Sequence, residues 1–286
     1  MFAFRRTAAL LSVGVLLAAV SCGEEEPPTF LGKERINVAM VNDLPGLSRT
    51  DNNKRTGFDQ LLVQELKRAM DVETLTQFDV ATGERLTAIE DGRADLTVSA
   101  FSIVDDRMKR IDFVGPYLTT WQGFLVRKDT IGKVDDIEDF KGETVCAWEG
   151  STSEEQLRRR GIEPLVLDDA SDCFERLLEK RALAISTDQL ILHGYAQLYS
   201  KEGVQVVPGV TFGAPQHYGI GLAKKHRKHC ERLKKWVKEF VESTDWMAGI
   251  QTNLPHLVAS EPDWTDRAKP NAASIDARSC RDEPGS

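Results

Sequence analysis

Two arginines and a serine in the N-terminal half of the chain have side chains suited to binding a small carboxylate. Arg107 and Ser102 lie just after the apolar run at residues 96–100, and Arg85 precedes that run. A guanidinium stays charged at any relevant pH, and its planar fork can donate two parallel hydrogen bonds to one carboxylate. Arg107 and the Ser102 hydroxyl are therefore predicted to hold a carboxylate past the end of a strand, where Ala100 offers a backbone carbonyl.

Two further polar segments open predicted helices. Ser151 and Thr152 begin a predicted helix at residues 152–160, and free N–H groups at a helix start favour an anion. Asp188 follows the predicted strand at residues 182–186 and could bind an ammonium group. Serine, threonine and aspartate are also ordinary helix caps. On these residues alone, both interpretations stay open.

The elements that would position these side chains alternate between strands and helices. Strands are predicted at residues 36–40, 75–80 and 96–100, with helices at 58–70 and 85–91 between them. This order predicts an open α/β sheet with helices on its faces. A second alternation of the same kind follows from residue 123. Ligands of open α/β sheets bind outside the carboxyl ends of the strands, so the polar segments lie where a site is expected.

Composition limits the classes of function. The chain has 286 residues, of which 41% are hydrophobic and 29% charged, which is enough for two modest domains. Its formal net charge of −8 argues against a nucleic-acid partner, although a local positive pocket could still hold an anion. The cysteines and histidines have no spacing typical of zinc sites, and no Ser/His/Asp or Cys/His arrangement points to nucleophilic catalysis. We therefore predict neither a metal, a cofactor nor an enzymatic activity.

The N-terminus has the layout of a secretory signal. Arg5 and Arg6 precede an apolar run at residues 8–20, which is shorter than the roughly 20 residues that a membrane-spanning helix needs. Cys22 after a small residue resembles a bacterial lipoprotein signal. That resemblance implies removal of residues 1–21, a lipid on Cys22, a tether at residues 22–33, and anchoring to the outer face of the cell membrane. Ordinary cleavage that leaves an unmodified thiol is the alternative.

Four further cysteines suggest disulfides. An even number in an exported chain predicts pairing, and four cysteines allow three connectivities. The economical pairing joins Cys146 to Cys173 and Cys230 to Cys280, and the first bond would tie a strand to the helix that follows. Free buried thiols are the alternative.

Several segments match the motifs of one family. Residues 99–117, which end in Asp-Phe-Val-Gly-Pro-Tyr, resemble the signature of family 3 of the bacterial extracellular solute-binding proteins, the polar amino-acid receptors of ABC importers. The Gly-Ser-Thr-Ser loop at 150–153 and the segment from Thr187 to Tyr195 resemble further motifs of that family. Gln216 and His217 depart from the family's Glu-Pro, and Trp148 stands where small or basic residues are common. The resemblance covers about residues 35–246.

The resemblance implies a two-lobed α/β fold, the type II periplasmic-binding-protein fold, in which two open α/β sheets are joined by a two-segment hinge. Lobe 1 would take residues 34–118 and 217–265. Lobe 2 would take residues 119–216, with the hinge segments at its ends. The polar tail at residues 266–286 is expected to be loosely held apart from Cys280, and the protein is expected to be a monomer.

The resemblance also assigns roles in the cleft between the lobes. Arg107 and Ser102, helped by the loop at Ser151 and Thr152, would hold the α-carboxylate of an amino acid, and Asp188 would hold its ammonium group. Receptors for acidic amino acids resemble this chain in carrying an arginine at the position of Arg85. The expected ligand is therefore glutamate or aspartate, with asparagine and glutamine as further candidates. The alternative for Arg85 is an exposed arginine at a helix start, and weaker candidates for the cleft wall are Thr82, Asp43 and Phe58.

Three classes of function are compatible with these features. The first is the substrate-binding component of an ABC importer, which delivers its amino acid to a permease in the membrane. The second is an amino-acid sensor that signals to a membrane partner, and its binding site would look the same. The least favoured is a dehydratase on the same fold, since no acid is placed for general catalysis.

Overall fold

The computed structural model describes residues 35–70 and 72–285. The predicted signal peptide, Cys22 and the tether therefore lie outside the described residues. Among the described residues, no helix has both the length and the apolar character that crossing a membrane requires.

The N-terminal part of the chain builds a parallel sheet flanked by helices. Strands β1 and β5 pair in parallel, β6 pairs with the other edge of β1, and a small antiparallel sheet of β2, β3 and β4 lies beside them. The strands are β1 (Arg35–Met40), β2 (Asp43–Leu44), β3 (Ser48–Asp51), β4 (Lys54–Thr56), β5 (Thr74–Asp79) and β6 (Leu96–Thr97). The helices are α1 (Phe58–Met70), α2 (Arg85–Glu90) and α3 (Asp105–Arg110). We call this part, with the C-terminal helices that pack on it, the first lobe.

A second α/β unit follows, which we call the second lobe. Its strands are β8 (Val145–Trp148), β9 (Leu165–Leu167), β10 (Ala184–Asp188) and β11 (Val204–Val206), and its helices are α4 (Thr152–Arg159), α5 (Ala170–Leu178) and α6 (Gln189–Leu198). The ring of Phe124 stacks on those of Phe140 and Phe212, with centroids 3.8 and 5.1 Å apart, in a core of its own. Short 3₁₀ helices cover Thr82–Glu84, Lys128–Thr130, Ile137–Phe140, Ser200–Glu202 and Lys224–His226.

Two long strands connect the lobes. Strand β7 (Asp112–Arg127) enters the second lobe, and β12 (Phe212–Leu222) returns beside it in antiparallel register, with His217 opposite Thr119. Each strand contains one end of the predicted lobe 2, residues 119–216, where the hinge was predicted. Because the two connections are extended and hydrogen-bonded to each other, the sheets of the lobes are continuous, in the order β5-β1-β6-β12-β7-β10-β8-β9, with β11 on β7. The two-lobed fold is confirmed, and the exact residue boundaries of the lobes stay a prediction.

The C-terminal helices pack on the first lobe. They are α7 (Arg227–Glu242), α8 (Thr244–Asn253), α9 (Pro255–Ser260), α10 (Trp264–Ala268) and α11 (Ala272–Arg278). As its spacing predicts, α7 buries an apolar stripe that includes Leu233, Val237 and Val241. On α8, the Trp246 indole N–H donates to the Tyr117 carbonyl at 2.9 Å, which ties this helix to the middle of β7.

The expectation of a loosely held tail was wrong. Ile275 is buried in the main core, and the Ser279 hydroxyl exchanges hydrogen bonds with the N–H and carbonyl of Gly115, both at 3.0 Å. The Cys280 N–H donates to the Phe113 carbonyl at 2.9 Å. A few specific contacts fix this segment although its composition is polar, and the sequence pattern could not show them.

Both economical disulfides are present. Cys146 on β8 is bonded to Cys173 on α5, and Cys230 on α7 is bonded to Cys280 in the tail. The first bond joins a strand to a helix within the second lobe. The second holds the end of the chain to the first lobe.

Candidate ligand-binding cleft

Arg85 is buried at the start of α2, and its side chain is only 4% exposed. Its Nε donates to the Thr82 carbonyl at 2.8 Å, and one terminal nitrogen donates to the carbonyls of Ser99 and Ala100 at 2.8 and 3.0 Å. The other terminal nitrogen, Nη2, makes no hydrogen bond with a described residue. The alternative of an exposed arginine at a helix start is therefore excluded.

Arg107, on the short helix α3, spans the two lobes. One terminal nitrogen donates to the Ser102 carbonyl in its own lobe at 2.9 Å, and the other donates to the Gly150 carbonyl in the second lobe at 3.0 Å. Ser102 is buried as a residue and lines the inner cavity, and its hydroxyl makes no hydrogen bond with a described residue. Two residues that are predicted to donate hydrogen bonds to a ligand carboxylate thus lie side by side, and Arg107 already contacts the opposite wall.

One aromatic ring supports both guanidinium groups. The Cζ atoms of Arg85 and Arg107 lie 4.9 and 4.8 Å from the centroid of Phe101, which is fully buried. Cation–π attraction partly offsets the cost of burying two like charges together. Burial, followed by the positive charge of Arg85, lowers the pKa of Arg107 to about 9, and burial lowers the pKa of Arg85 to about 10. Both stay protonated at neutral pH, and an anion beside them would relieve their repulsion.

Asp59 holds the strand-end loop in an unusual shape. Ala100 has a φ of 45°, a left-handed conformation that is uncommon for a residue other than glycine. Its N–H donates to one carboxylate oxygen of Asp59 at 2.9 Å, and the Tyr117 hydroxyl donates to the other at 2.9 Å. Burial raises the pKa of Asp59 to about 6. These bonds fix the Ala100 carbonyl against Arg85, so Asp59 positions a site residue from within α1.

The second lobe supplies the opposite wall. Ser151 caps α4, because its hydroxyl accepts from the Glu154 N–H at 3.3 Å, so the cap interpretation holds for its side chain. The Thr152 hydroxyl accepts from the Gln122 amide at 3.3 Å, and the Ser153 hydroxyl donates to the same amide at 2.7 Å. Gln122 therefore orders the start of α4 from its position on β7.

Asp188 does not cap the helix that it precedes. No cap hydrogen bond joins its side chain to α6. Its carboxylate accepts instead from the Gln122 amide and from the Tyr218 hydroxyl, both at 2.6 Å. Burial raises its pKa to about 6, against the opposing effects of the Tyr218 hydrogen bond and of the positive charges of Arg85 and Arg107. A buried carboxylate that faces the buried Arg85 and the half-buried Arg107 is suited to binding an ammonium group beside them.

These residues meet in one small cavity between the lobes. Six of the seven predicted ligand-binding residues line it, namely Arg85, Ala100, Ser102, Ser151, Thr152 and Asp188. Its other lining residues are Leu44, Thr82, Trp148, Ser153, Thr187 and Ile191. The seventh, Arg107, lines an adjoining outer cavity that shares Thr82, Ser151 and Thr152 with the inner one. Of the weaker candidates, Thr82 lines the inner cavity, whereas Asp43 and Phe58 line neither cavity.

The cleft is closed in this structure. The inner cavity measures about 20 Å³ and the outer one about 330 Å³. The inner volume suits a water molecule, so an amino acid could enter only if the lobes moved apart. Gly150 approaches Gly83 of the first lobe so closely that a Cβ on Gly150 would lie 2.6 Å from the Gly83 Cα.

Sequence reasoning missed four residues of this site. Phe101, Asp59, Gln122 and Tyr218 act through a ring face or through hydrogen bonds to the predicted residues. Tyr218 lies in the motif that was compared with the family, next to Gln216 and His217, but it was not given a role. Phe101 likewise lies in the segment at residues 99–117 that resembles the family signature, and Asp59 and Gln122 had no signal beyond their place at the start of a helix or within a strand.

Comparison with known proteins agrees with this geometry. The family described as bacterial extracellular solute-binding proteins, family 3, matches residues 36–251. The glutamate-binding protein GluB of Corynebacterium efficiens is 31% identical over 88% of this chain and 91% of its own length. The glutamine-binding protein of Geobacillus stearothermophilus is 29% identical over 71% of this chain and 77% of its own.

Solved structures show the same fold. The structure of the solute receptors for L-cysteine of Neisseria gonorrhoeae superimposes with a TM-score of 0.73, at 19% identity, over 82% of this chain and 96% of that one. An ancestral arginine-binding protein bound to arginine gives a TM-score of 0.70 at 24% identity, over 77% of this chain and 98% of that one. At such identities the likeness concerns the fold alone. The family match over most of the chain and the 31% identity to a full-length relative show that this protein belongs to family 3 of the bacterial extracellular solute-binding proteins.

Proposed function

We propose that this protein binds an acidic amino acid, glutamate or aspartate, between its lobes and delivers it to an ABC permease. One observation carries the proposal. Two guanidinium groups rest on a single buried ring in one wall, and a buried carboxylate faces them from the other. An acidic amino acid has the complementary charges, two carboxylates and one ammonium group.

Each charged group of the ligand then has a partner. Arg107, with the Ser102 hydroxyl and the N–H groups at the start of α4, binds the α-carboxylate. Asp188 and the Ala100 carbonyl accept from the ammonium group. Arg85 binds the side-chain carboxylate through its unengaged Nη2 nitrogen, while its other nitrogens stay on the backbone of its own lobe.

The choice of substrate has a second support. Two relatives are named as a glutamate-binding and a glutamine-binding protein, and both ligands share the same carbon skeleton. A second buried guanidinium favours a carboxylate over an amide at the end of that skeleton, because a charge-assisted hydrogen bond is about twice as strong as a neutral one. Asparagine and glutamine are therefore weaker candidates.

Ligand exchange requires the lobes to open. We assign this movement to the central parts of β7 and β12, with lobe 1 at residues 34–118 and 217–265 and lobe 2 at residues 119–216. A ligand that bridges Arg107 and Asp188 has its full set of contacts only when the lobes are together. It therefore stabilises the closed form, which is the form we expect the permease to recognise.

The remaining assignments follow from the family and the N-terminal sequence. We propose a monomer that binds its ligand without chemical turnover, and the names of three relatives as binding proteins support this. It would be exported and anchored by a lipid on Cys22. This placement would keep the receptor beside its permease at the outer face of the membrane.

Calorimetric titration of the purified protein with each of the twenty common amino acids tests the proposal. Glutamate or aspartate should bind most tightly, glutamine and asparagine more weakly, and lysine not at all. Tightest binding of lysine or of an apolar amino acid would overturn the role of Arg85. Binding of none of the twenty would overturn the function itself.

A further inference from the structure

A segment of the first lobe crosses beside the cleft and docks on two helices of the second. It comprises Asp43 and Pro45, at and after strand β2, and it meets Gly194 and Tyr195 of α6. We propose that these four residues form a latch that sets the affinity for the ligand by stabilising the closed form. This inference deepens the proposed function and rests on it.

Hydrogen bonds tie the segment to both helices. The Tyr195 hydroxyl donates to the Asp43 carbonyl at 2.7 Å, and the Ala170 N–H at the start of α5 donates to the Asp43 carboxylate at 3.2 Å. Tyr195 is 3% exposed, so its hydroxyl bond is well shielded from water. Neither Asp43 nor Tyr195 lines the ligand cavity. Their contacts would therefore change the equilibrium between open and closed forms without touching the amino acid.

Gly194 allows a close approach between the lobes. A Cβ at this position would lie 1.9 Å from the Pro45 carbonyl oxygen and 2.7 Å from its carbonyl carbon. No side chain other than hydrogen fits there while the lobes are together. Gly194 lies inside the ten-residue helix α6, where glycine is less favourable than alanine. Close backbone contact across the cleft gives a physical reason for that cost.

The latch acts through the population of the closed form. The apparent affinity for a ligand is its intrinsic affinity multiplied by the fraction of molecules that are in the binding-competent closed form. Contacts made only in the closed form raise that fraction, and a clash present only in the closed form lowers it. An alanine at position 194 would clash in the closed form alone, because separated lobes leave the position free.

Gly194→Ala tests the latch directly. We expect the affinity for the preferred amino acid to fall by roughly 5- to 150-fold, the range that corresponds to the usual cost of overpacking. The unfolding temperature without ligand should stay the same or rise, since alanine favours the helix. Small-angle scattering should show less compaction at a ligand concentration that closes the natural protein.

Tyr195→Phe is a second variant that does not depend on overpacking. Loss of one buried hydrogen bond across the lobes should weaken binding by roughly 2- to 10-fold. Tyr199→Phe is its control, since Tyr199 stacks on the same Phe174 ring as Tyr195 but its hydroxyl makes no hydrogen bond with a described residue. It should bind as the natural protein does.

The outcomes separate the latch from the proposed function. Both variants are compared with the natural protein for whichever amino acid that protein prefers, so an incorrect substrate does not affect the latch test. If the natural protein binds an amino acid and both variants bind it as tightly, the latch is overturned. If Gly194→Ala does not fold, Tyr195→Phe against Tyr199→Phe decides. Failure of the natural protein to bind any amino acid overturns the proposed function, and the latch with it.

Discussion

The two arginines of the cleft differ in what holds them. Arg85 is fixed by three backbone carbonyls of its own lobe, whereas Arg107 divides its hydrogen bonds between the lobes. A fixed guanidinium can select among side chains, because it does not adapt to them. A bridging guanidinium can bind the carboxylate that every amino acid carries.

Arg107→Ala should therefore weaken every amino acid, by roughly 30-fold or more, since a buried charge pair loses one partner. Calorimetry with glutamate, glutamine and serine would measure this loss. Arg181→Ala, which removes an exposed arginine paired with Glu179, is the control and should bind normally. Unchanged affinity in Arg107→Ala would contradict the assignment of the α-carboxylate.

Arg85→Ala should change selectivity more than overall binding. The preference for glutamate over glutamine should fall by roughly tenfold, because the charge-assisted hydrogen bond to the second carboxylate is lost. Competition between the two ligands measures this ratio directly. If the variant kept the same preference, the only role of Arg85 would be to hold the nearby backbone through its hydrogen bonds.

Binding should weaken in acid because Asp188 must be ionised to hold an ammonium group. Its pKa is raised to about 6, so it is charged at pH 8 and mostly protonated at pH 5. Protons then compete with the ligand, and the affinity should fall about tenfold between these values. Titrations at pH 8, 7, 6 and 5 would show the trend. Asp188→Asn should bind weakly at all four, and a flat profile in the natural protein would rule out this role.

At the scale of elements, helix α1 supports the loop that follows β6. Asp59 lies in the first turn of α1 and receives hydrogen bonds from Ala100 and Tyr117. Both carboxylate oxygens face donors, so an amide cannot satisfy both. The left-handed conformation of Ala100 thus depends on a side chain from another element.

Asp59→Asn should destabilise the protein by roughly 1–3 kcal/mol, because one buried donor loses its acceptor. Denaturant unfolding measures this change. Tyr117→Phe removes only the second donor and should cost less. Equal stability of Asp59→Asn and the natural protein would mean that the loop holds its own shape.

Much of this arrangement could be predicted from short-range patterns, and the remainder could not. Arg85, Arg107 and Asp188 each lie in a short motif, and such a motif can be recognised from the neighbouring residues alone. Phe101, Gln122 and Tyr218 act through contacts between segments that are far apart in sequence. Gln122 and Tyr218 lie on β7 and β12, and their meeting with Asp188 depends on how these strands pair. No spacing along the chain reports such a meeting.

At the scale of the whole molecule, the end of the chain is part of the first lobe. The Cys230–Cys280 disulfide closes a loop of 50 residues, and Arg227 binds both Asp112 and Asp282. The polar residues of the tail suggested a loose segment because composition does not show which few of them are anchored. The tail is therefore held by hydrogen bonds of Ser279 in addition to the disulfide that was expected at Cys280.

Deletion of residues 279–286 should cost roughly 2–5 kcal/mol of unfolding free energy, the usual effect of losing a natural disulfide. Asp282→Ala is the control and should leave the unfolding free energy nearly unchanged, because that carboxylate is largely exposed. Unfolding of both variants by denaturant would compare them. A truncated protein as stable as the natural one would show that the docking contributes nothing.

The anchored C-terminus also has a practical use. A fluorescent protein fused there would move with the first lobe, because Ser279 and Cys280 hold the chain to β7 and α7. A dye at an exposed position of the second lobe, such as Glu179, would move with the other half. The optical distance between the two labels would then follow opening and closing in real time. The same fusion would make the receptor a sensor for its own amino acid in a growth medium.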